Sequence, residues 1–156
     1  MADIFVSEEA LEKMRADLHA IKSVKRREIV MAIQEARAHG DLSENAEYDA
    51  AREAQAHNEK RIAELEEQLT RVRIIDKSNV PPDTVCIGKS VTLLNKTTNK
   101  QVKYELVAPE VSDFDAGKIS ITSPMGRALI GKSLKEEVAV KAPAGVTVYK
   151  IMKMSM

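Results

Sequence analysis

Between Ser7 and about Lys77 the chain has no proline, and its only glycine there is Gly40. A stretch of that length without helix breakers, rich in Ala, Glu, Arg and Lys, favours helix almost throughout. Ser7 is a natural N-cap; Ala10 rather than Glu holds the box position, and Glu8 and Glu9 suit the first-turn dipole. Leu11, Met14, Leu18 and Ile21 recur at spacings of three and four, the stripe slips after Val24, and it resumes at Ile29, Ile33 and Ala36. A second segment alternates three and four more strictly through Ala51, Gln55, Asn58, Ile62, Leu65, Leu69 and Val72. So narrow a stripe is the seam of a coiled coil, not the broad face of a globular helix.

Folding the run back at residues 41–43 sets Leu11 opposite Ile74, Met14 opposite Val72, Ile21 opposite Leu65, and Ile33 opposite Ala51. An antiparallel hairpin of two helices is therefore expected, with arms of about 30 residues, or about 45 Å at roughly 1.5 Å per residue. Alanines and Asn58 thin the seam toward the turn, so the rod is expected to be firmest at its base.

Past Pro81-Pro82 the pattern changes. VCIGKSVTLLN, KQVKYELVA, KISITS, EEVAVKA and GVTVYKIMKM are β-branched, often alternating, and separated by turn residues such as NKTTNK and APAG. A short helical piece, PMGRALIGK, interrupts them. The expected fold class is α+β: a coiled-coil hairpin over residues 1–78, then a small, mostly antiparallel sheet domain with one helix over residues 79–156.

Lys+Arg and Asp+Glu both number 24, so the formal net charge is zero. The halves differ: residues 1–79 hold 13 bases and 17 acids, residues 80–156 hold 11 and 7, giving −4 and +4. Neither half carries the dense cationic stripe that uniform nucleic-acid backbone binding uses. The single Cys86 in TVCIG forms no intramolecular disulfide and offers no metal-ligand spacing. No secretory leader and no apolar run of membrane-spanning length is visible, so a soluble, cytoplasmic protein with no membrane partner is expected.

GRALIGKS, Gly126 to Ser133, matches the phosphate-loop pattern letter for letter. Its context argues against nucleotide binding: Arg127 to Ile130 read as an amphipathic helical turn, and the residues after Ser133 read as two strands, not a crossover helix with parallel strands. His19, His39 and His57 share no short metal-binding spacing, and no Ser-His-Asp or Cys-His set stands out. HGDLSENAEYDAAR, residues 39–52, remains. Gly40 suits a left-handed C′ position closing the first helix. Asp41 and Glu44 read as a capping pair for the second, or as two carboxylates that chelate a hard cation such as Mg²⁺ without completing its octahedral shell. The residues alone leave both readings open.

HGDLSENAEYDAAREAQ, the hairpin around it, and the sheet domain with SPMGRALIGK together resemble the bacterial Gre-type transcript cleavage factors across essentially the whole chain. The resemblance looks nearer the GreA branch than the GreB branch, because no strongly basic face is evident on the hairpin. It implies a C-terminal fold similar to the FK506-binding proteins that grips the rim of the RNA polymerase secondary channel, and a hairpin that enters the channel. It also implies no cofactor bound alone: Asp41 and Glu44 would hold a Mg²⁺ shared with the polymerase active centre and promote cleavage of the backtracked nascent RNA at its 3′ end. Asn45, Tyr48 and Arg52 match the flanking motif and are implied to orient the tip or touch RNA. Ser123 and Pro124 match the rim-contacting loop. The chain would act in trans and would not be an enzyme in isolation.

Three other readings differ in class. A Gre-like protein can plug the channel and inhibit without stimulating cleavage, although this tip keeps the active pattern. A prolyl isomerase needs an aromatic-lined pocket, and residues 80–156 offer only Tyr104, Phe114 and Tyr149. A plain structural coiled coil would show no activity in trans.

Overall fold

The computed structural model describes residues 2–41 and 44–156, so Leu42 and Ser43, in the turn expected at 41–43, lie outside the described residues. It divides into two compact units, Glu9–Arg71 and a second made of Met1–Glu8 with Val72–Met156.

The first unit is the helical hairpin. Helix α1 (Glu8–Ala20) runs through a π-helical turn at Ile21–Lys25 into α2 (Arg26–Ala38), and α3 (Ala46–Arg71) returns beside α2. Ile29 and Ile33 pack with Ala51, against which Tyr48 also lies. Met14, Ile62 and Leu65 are buried as the seam requires. The π turn explains the slip in the stripe. Met14, Ile21, Ile29 and Ala36 are separated by 7, 8 and 7 residues, and the extra residue falls inside the widened turn. Across the hairpin, Arg26 Nε and Nη2 meet both carboxylate oxygens of Glu59 at 2.7 and 2.8 Å. That hydrogen bonding holds the Glu59 carboxyl below its ordinary range. Lys22 reaches Glu66 at 3.6 Å.

The helix expected to continue to about Lys77 ends at Arg71. Strand β2 (Val72–Ile74) instead pairs in parallel with β1 (Ile4–Val6), in the register Ile4–Val72, Phe5–Arg73 and Val6–Ile74. Val72 and Ile74 are therefore strand residues and not seam partners of Met14 and Leu11. The β-branched run Val72, Ile74, Ile75 favours strand over helix once a partner strand is present, and β1 supplies it with Ile4 and Val6 almost fully buried.

The remainder is a five-stranded sheet built from β3 (Ser90–Asn95), β4 (Gln101–Val107), β5 (Lys118–Ser120), β6 (Glu137–Ala142) and β7 (Gly145–Ser155), in the order β5-β4-β3-β7-β6. All neighbours are antiparallel except β4 and β5, which run parallel. The β3–β4 turn is organised by Asn95, whose side-chain oxygen accepts from the amides of Thr97 and Thr98 at 2.9 and 3.2 Å. Helix α4 (Pro124–Leu129) packs beside β6 and β5. Leu93, Leu106, Leu129 and Ile151 have no exposed surface and form the centre of the core. Lys89 is buried as well; its ammonium donates to the carbonyls of Pro81 and Thr84, fastening the segment after the proline pair to the sheet unit. Among the described residues no helix is long and apolar enough to cross a membrane.

Candidate functional sites at the hairpin turn and the sheet groove

Helix α2 closes with the amides of His39 and Gly40 donating to the carbonyls of Ala36 and Arg37 at 3.2 and 3.3 Å. Gly40 takes a φ of 111°, a conformation that strains any residue with a Cβ. Helix α3 starts only at Ala46, and its cap differs from the expected Asp41–Glu44 pair. The side-chain oxygen of Asn45 accepts from the Tyr48 amide at 3.1 Å, the bond an N-cap makes. The Asn45 amide nitrogen donates to the Ala36 carbonyl at 2.5 Å, tying the start of α3 to the end of α2. The physical reason is position: Asn45 directly precedes the first helical residue, whereas Asp41 lies four residues further back.

The cap of α3 thus rests on Asn45 and not on the first carboxylates of the motif. Asp41 and Glu44 are both exposed, and with His39, Asn45 and Glu47 they line one shallow concavity at the turn. His39 Nδ1 meets Glu47 at 2.9 Å, bridging the end of α2 and the start of α3. Tyr48 is half-buried against the Ile29–Ile33–Ala51 cluster, with the Arg37 guanidinium 5.9 Å from its ring centre. Arg52 is exposed and bonds Gln55 at 3.0 Å. Of the expected site residues, Asn45 and Tyr48 therefore shape the turn, while Asp41 and Glu44 sit on it. His39 and Glu47 were not among the expected site residues; the only signal available was their place in the same motif.

Two carboxylates are a hard-oxygen donor set suited to Mg²⁺, but they leave most of an octahedral shell to other ligands. Among the described residues no three His, Cys, Asp or Glu side chains converge tightly enough to hold an ion. The chemistry of this donor set fits an ion shared with a partner.

Replacing Asn45 by Ala should cost about 0.5–2 kcal/mol for the cap alone, with a further loss for the tie to Ala36. Denaturant unfolding checks this, and Asn45→Asp, which keeps the acceptor but not the donor, should fall between Ala and the parent. An Asn45→Ala variant as stable as the parent would remove the cap assignment.

In the sheet unit, Ser123 caps α4: its Oγ accepts from the Gly126 amide at 3.0 Å and donates to the Ser120 carbonyl at 2.6 Å. Pro124 is the first helical residue, where its fixed φ suits the helix and its missing N–H is not needed. Both residues edge an apolar groove with Phe114, Ile119, Met125 and Val140. Phe114 is 72% exposed and lies tilted against Tyr104, with ring centres 6.2 Å apart. Burial pushes the Tyr104 hydroxyl above its ordinary pKa. The groove was not foreseen, because it joins residues from β5, α4, β6 and a loop that no local pattern links.

The GRALIGKS segment does not form a phosphate loop. Its first residues are the body of α4, and Gly131 and Lys132 are tied into the fold: Gly131 N–H donates to the Val85 carbonyl at 2.9 Å, and Val85 N–H to the Lys132 carbonyl at 2.8 Å.

Residues 4–74 match the family model described as transcription elongation factor, N-terminal, and residues 80–156 match transcription elongation factor, GreA/GreB, C-term. The chain is 46% identical to the transcription elongation factor GreA of Prosthecochloris aestuarii, covering 96% of this chain and 95% of that one. It is 51% identical to GreA of Nitrobacter winogradskyi, covering 88% and 87%, and 46% identical to GreA of Thermodesulfovibrio yellowstonii, covering 94% and 93%. The chain belongs to the GreA/GreB family of bacterial transcription elongation factors.

Proposed function

We propose that this protein enters the secondary channel of RNA polymerase with its hairpin turn foremost and stimulates the polymerase's own Mg²⁺-dependent cleavage of backtracked nascent RNA. The observation that carries this reading is the turn itself. Asp41 and Glu44 are exposed on one concavity, and capping falls to Asn45. In this reading Asp41 and Glu44 offer oxygens to an ion whose other ligands come from the polymerase and the RNA. An ion so held, about 3.5–4 Å from a first one, activates water and stabilises the leaving 3′ oxygen. Asn45 and Tyr48 keep the two carboxylates in place through the ties already described, and Arg52 faces the RNA. Ser123 and Pro124, at the lip of the apolar groove, hold the channel rim. The protein supplies part of a site and is not a nuclease by itself.

The test is a stalled, backtracked elongation complex incubated with Mg²⁺ and with or without the protein. Release of short 3′ fragments should accelerate on addition, and the shortened transcript should resume extension. Free RNA with the protein and Mg²⁺ should stay intact. Cleavage of free RNA that survives re-purification, or no acceleration by protein shown to be bound to polymerase, would contradict the proposal.

A further inference from the structure

The hairpin contains an irregularity and a buried polar group at the same level. The α3 seam is regular, with Ala51, Asn58 and Leu65 each seven residues apart. The opposing seam has one residue too many, between Ile21 and Ile29, and the π turn at Ile21–Lys25 takes it up. Asn58, only 6% exposed, is the sole buried polar residue of the described helical unit. Its side-chain amide donates to the Ile21 carbonyl, the first of the π turn, at 3.0 Å. On either side, Lys22 reaches Glu66 and Arg26 grips Glu59.

An inserted residue in a uniform apolar seam has no fixed address. Where every layer is aliphatic or alanine, the wide turn can move by a turn or more at little cost, and each position rotates the residues beyond it. A single buried Asn is a known way to fix register at some expense in stability. Here its one donor bond selects which carbonyl begins the wide turn. Everything from Arg26 to Gly40 hangs from that choice, including the Ala36 carbonyl that anchors Asn45.

We propose that Asn58 is a positioning residue: through Ile21 it pins the π turn, and so sets the rotation and depth at which Asp41 and Glu44 are presented. The part concerning cleavage rests on the function proposed above; the part concerning register does not.

The experiment uses the full chain with Cys86→Ala and nitroxide labels at the exposed positions Ala32 and Ala54, one on each arm and both on the turn side of Ile21–Lys25. The parent should give one narrow inter-label distance. Asn58→Leu should melt at or above the parent, since replacing a buried polar group by an apolar one is often neutral or stabilising, yet give a broadened or second distance. In the stalled-complex assay without labels, its maximal cleavage rate should fall about tenfold, because a misplacement on the order of 1 Å can cost more than that. The concentration giving half-maximal effect should not change. Asn58→Ala, which removes the donor without adding volume, should reproduce both readings if Leu is not accommodated. The proposal is overturned by an unchanged narrow distance in a folded variant, by altered distances with full cleavage, or by variants that both unfold. If the parent itself stimulates no cleavage, the functional reading fails, while the distances still decide whether Asn58 sets the register.

Discussion

An Asp41→Asn, Glu44→Gln double variant should keep its fold and its hold on polymerase while losing most cleavage stimulation. Both side chains are exposed on the turn, the cap of α3 belongs to Asn45, and Asn and Gln keep an oxygen acceptor at both positions. Stability should shift by well under about 1 kcal/mol, as for most surface substitutions. The amides preserve shape and remove both anionic ligands, which a hard cation tolerates poorly. The maximal rate should therefore fall by about 100-fold or more, within the range seen when groups stabilising transition-state charge are removed. Raising Mg²⁺ should recover part of it. Melting curves and cleavage assays on the same preparation decide the matter, and near-normal cleavage by the folded variant would reduce Asp41 and Glu44 to surface charges.

Leu129→Ala should fail in the opposite way. Leu129 has no exposed surface and is the only bulky side chain of α4 that is fully buried. A helix of six residues cannot hold itself in water and depends on this anchor. The truncation should cost about 2–5 kcal/mol, lowering the melting temperature of the sheet unit. It should also loosen the Ser123–Pro124 lip of the groove. If that lip holds the channel rim, polymerase binding weakens and more protein is needed for half-maximal cleavage, while the maximal rate at saturation stays near the parent's. A fall in maximal rate at unchanged affinity would break the division of labour between turn and groove. Unchanged melting would contradict the packing argument itself.

The hairpin was legible because two unlike signals agreed: the absence of breakers around Gly40, and seams of spacing three and four on both sides. The slip after Val24 was visible too, but its cause was not. A π turn and a helix break leave the same gap in an apolar stripe, and only the unbroken helical backbone through Ile21–Lys25 distinguishes them. The β1–β2 pair escaped notice because three-residue strands far apart in sequence carry almost no periodicity. Val72 fitted the helical stripe equally well, and the competing partner, Ile4–Val6, lay outside the segment being read. The parallel β4–β5 pairing is similarly non-local, reached through a loop of short 3₁₀ turns between Val107 and Lys118.

At the turn, the motif located the acids but mistook the cap. Asp41 and Glu44 have the right residue types and spacing for a capping box; the helix simply starts later, at Ala46. That correction bears on the site, since the cap of α3 rests on Asn45 and not on the two acids. His39 and Glu47 join the same concavity through a 2.9 Å contact that sequence spacing alone does not reveal.

The Mg²⁺ dependence of transcript cleavage in a stalled elongation complex tests the central claim most directly. The rate is measured across a Mg²⁺ titration for polymerase alone, with the parent protein at saturation, and with the Asp41→Asn, Glu44→Gln variant at saturation. If the turn carboxylates help hold the second ion, the parent protein lowers the Mg²⁺ concentration needed for half-maximal cleavage, and the variant leaves it near the value for polymerase alone. An equal shift produced by the folded, polymerase-bound variant, or a rate increase by the parent with no change in Mg²⁺ requirement, would contradict the account.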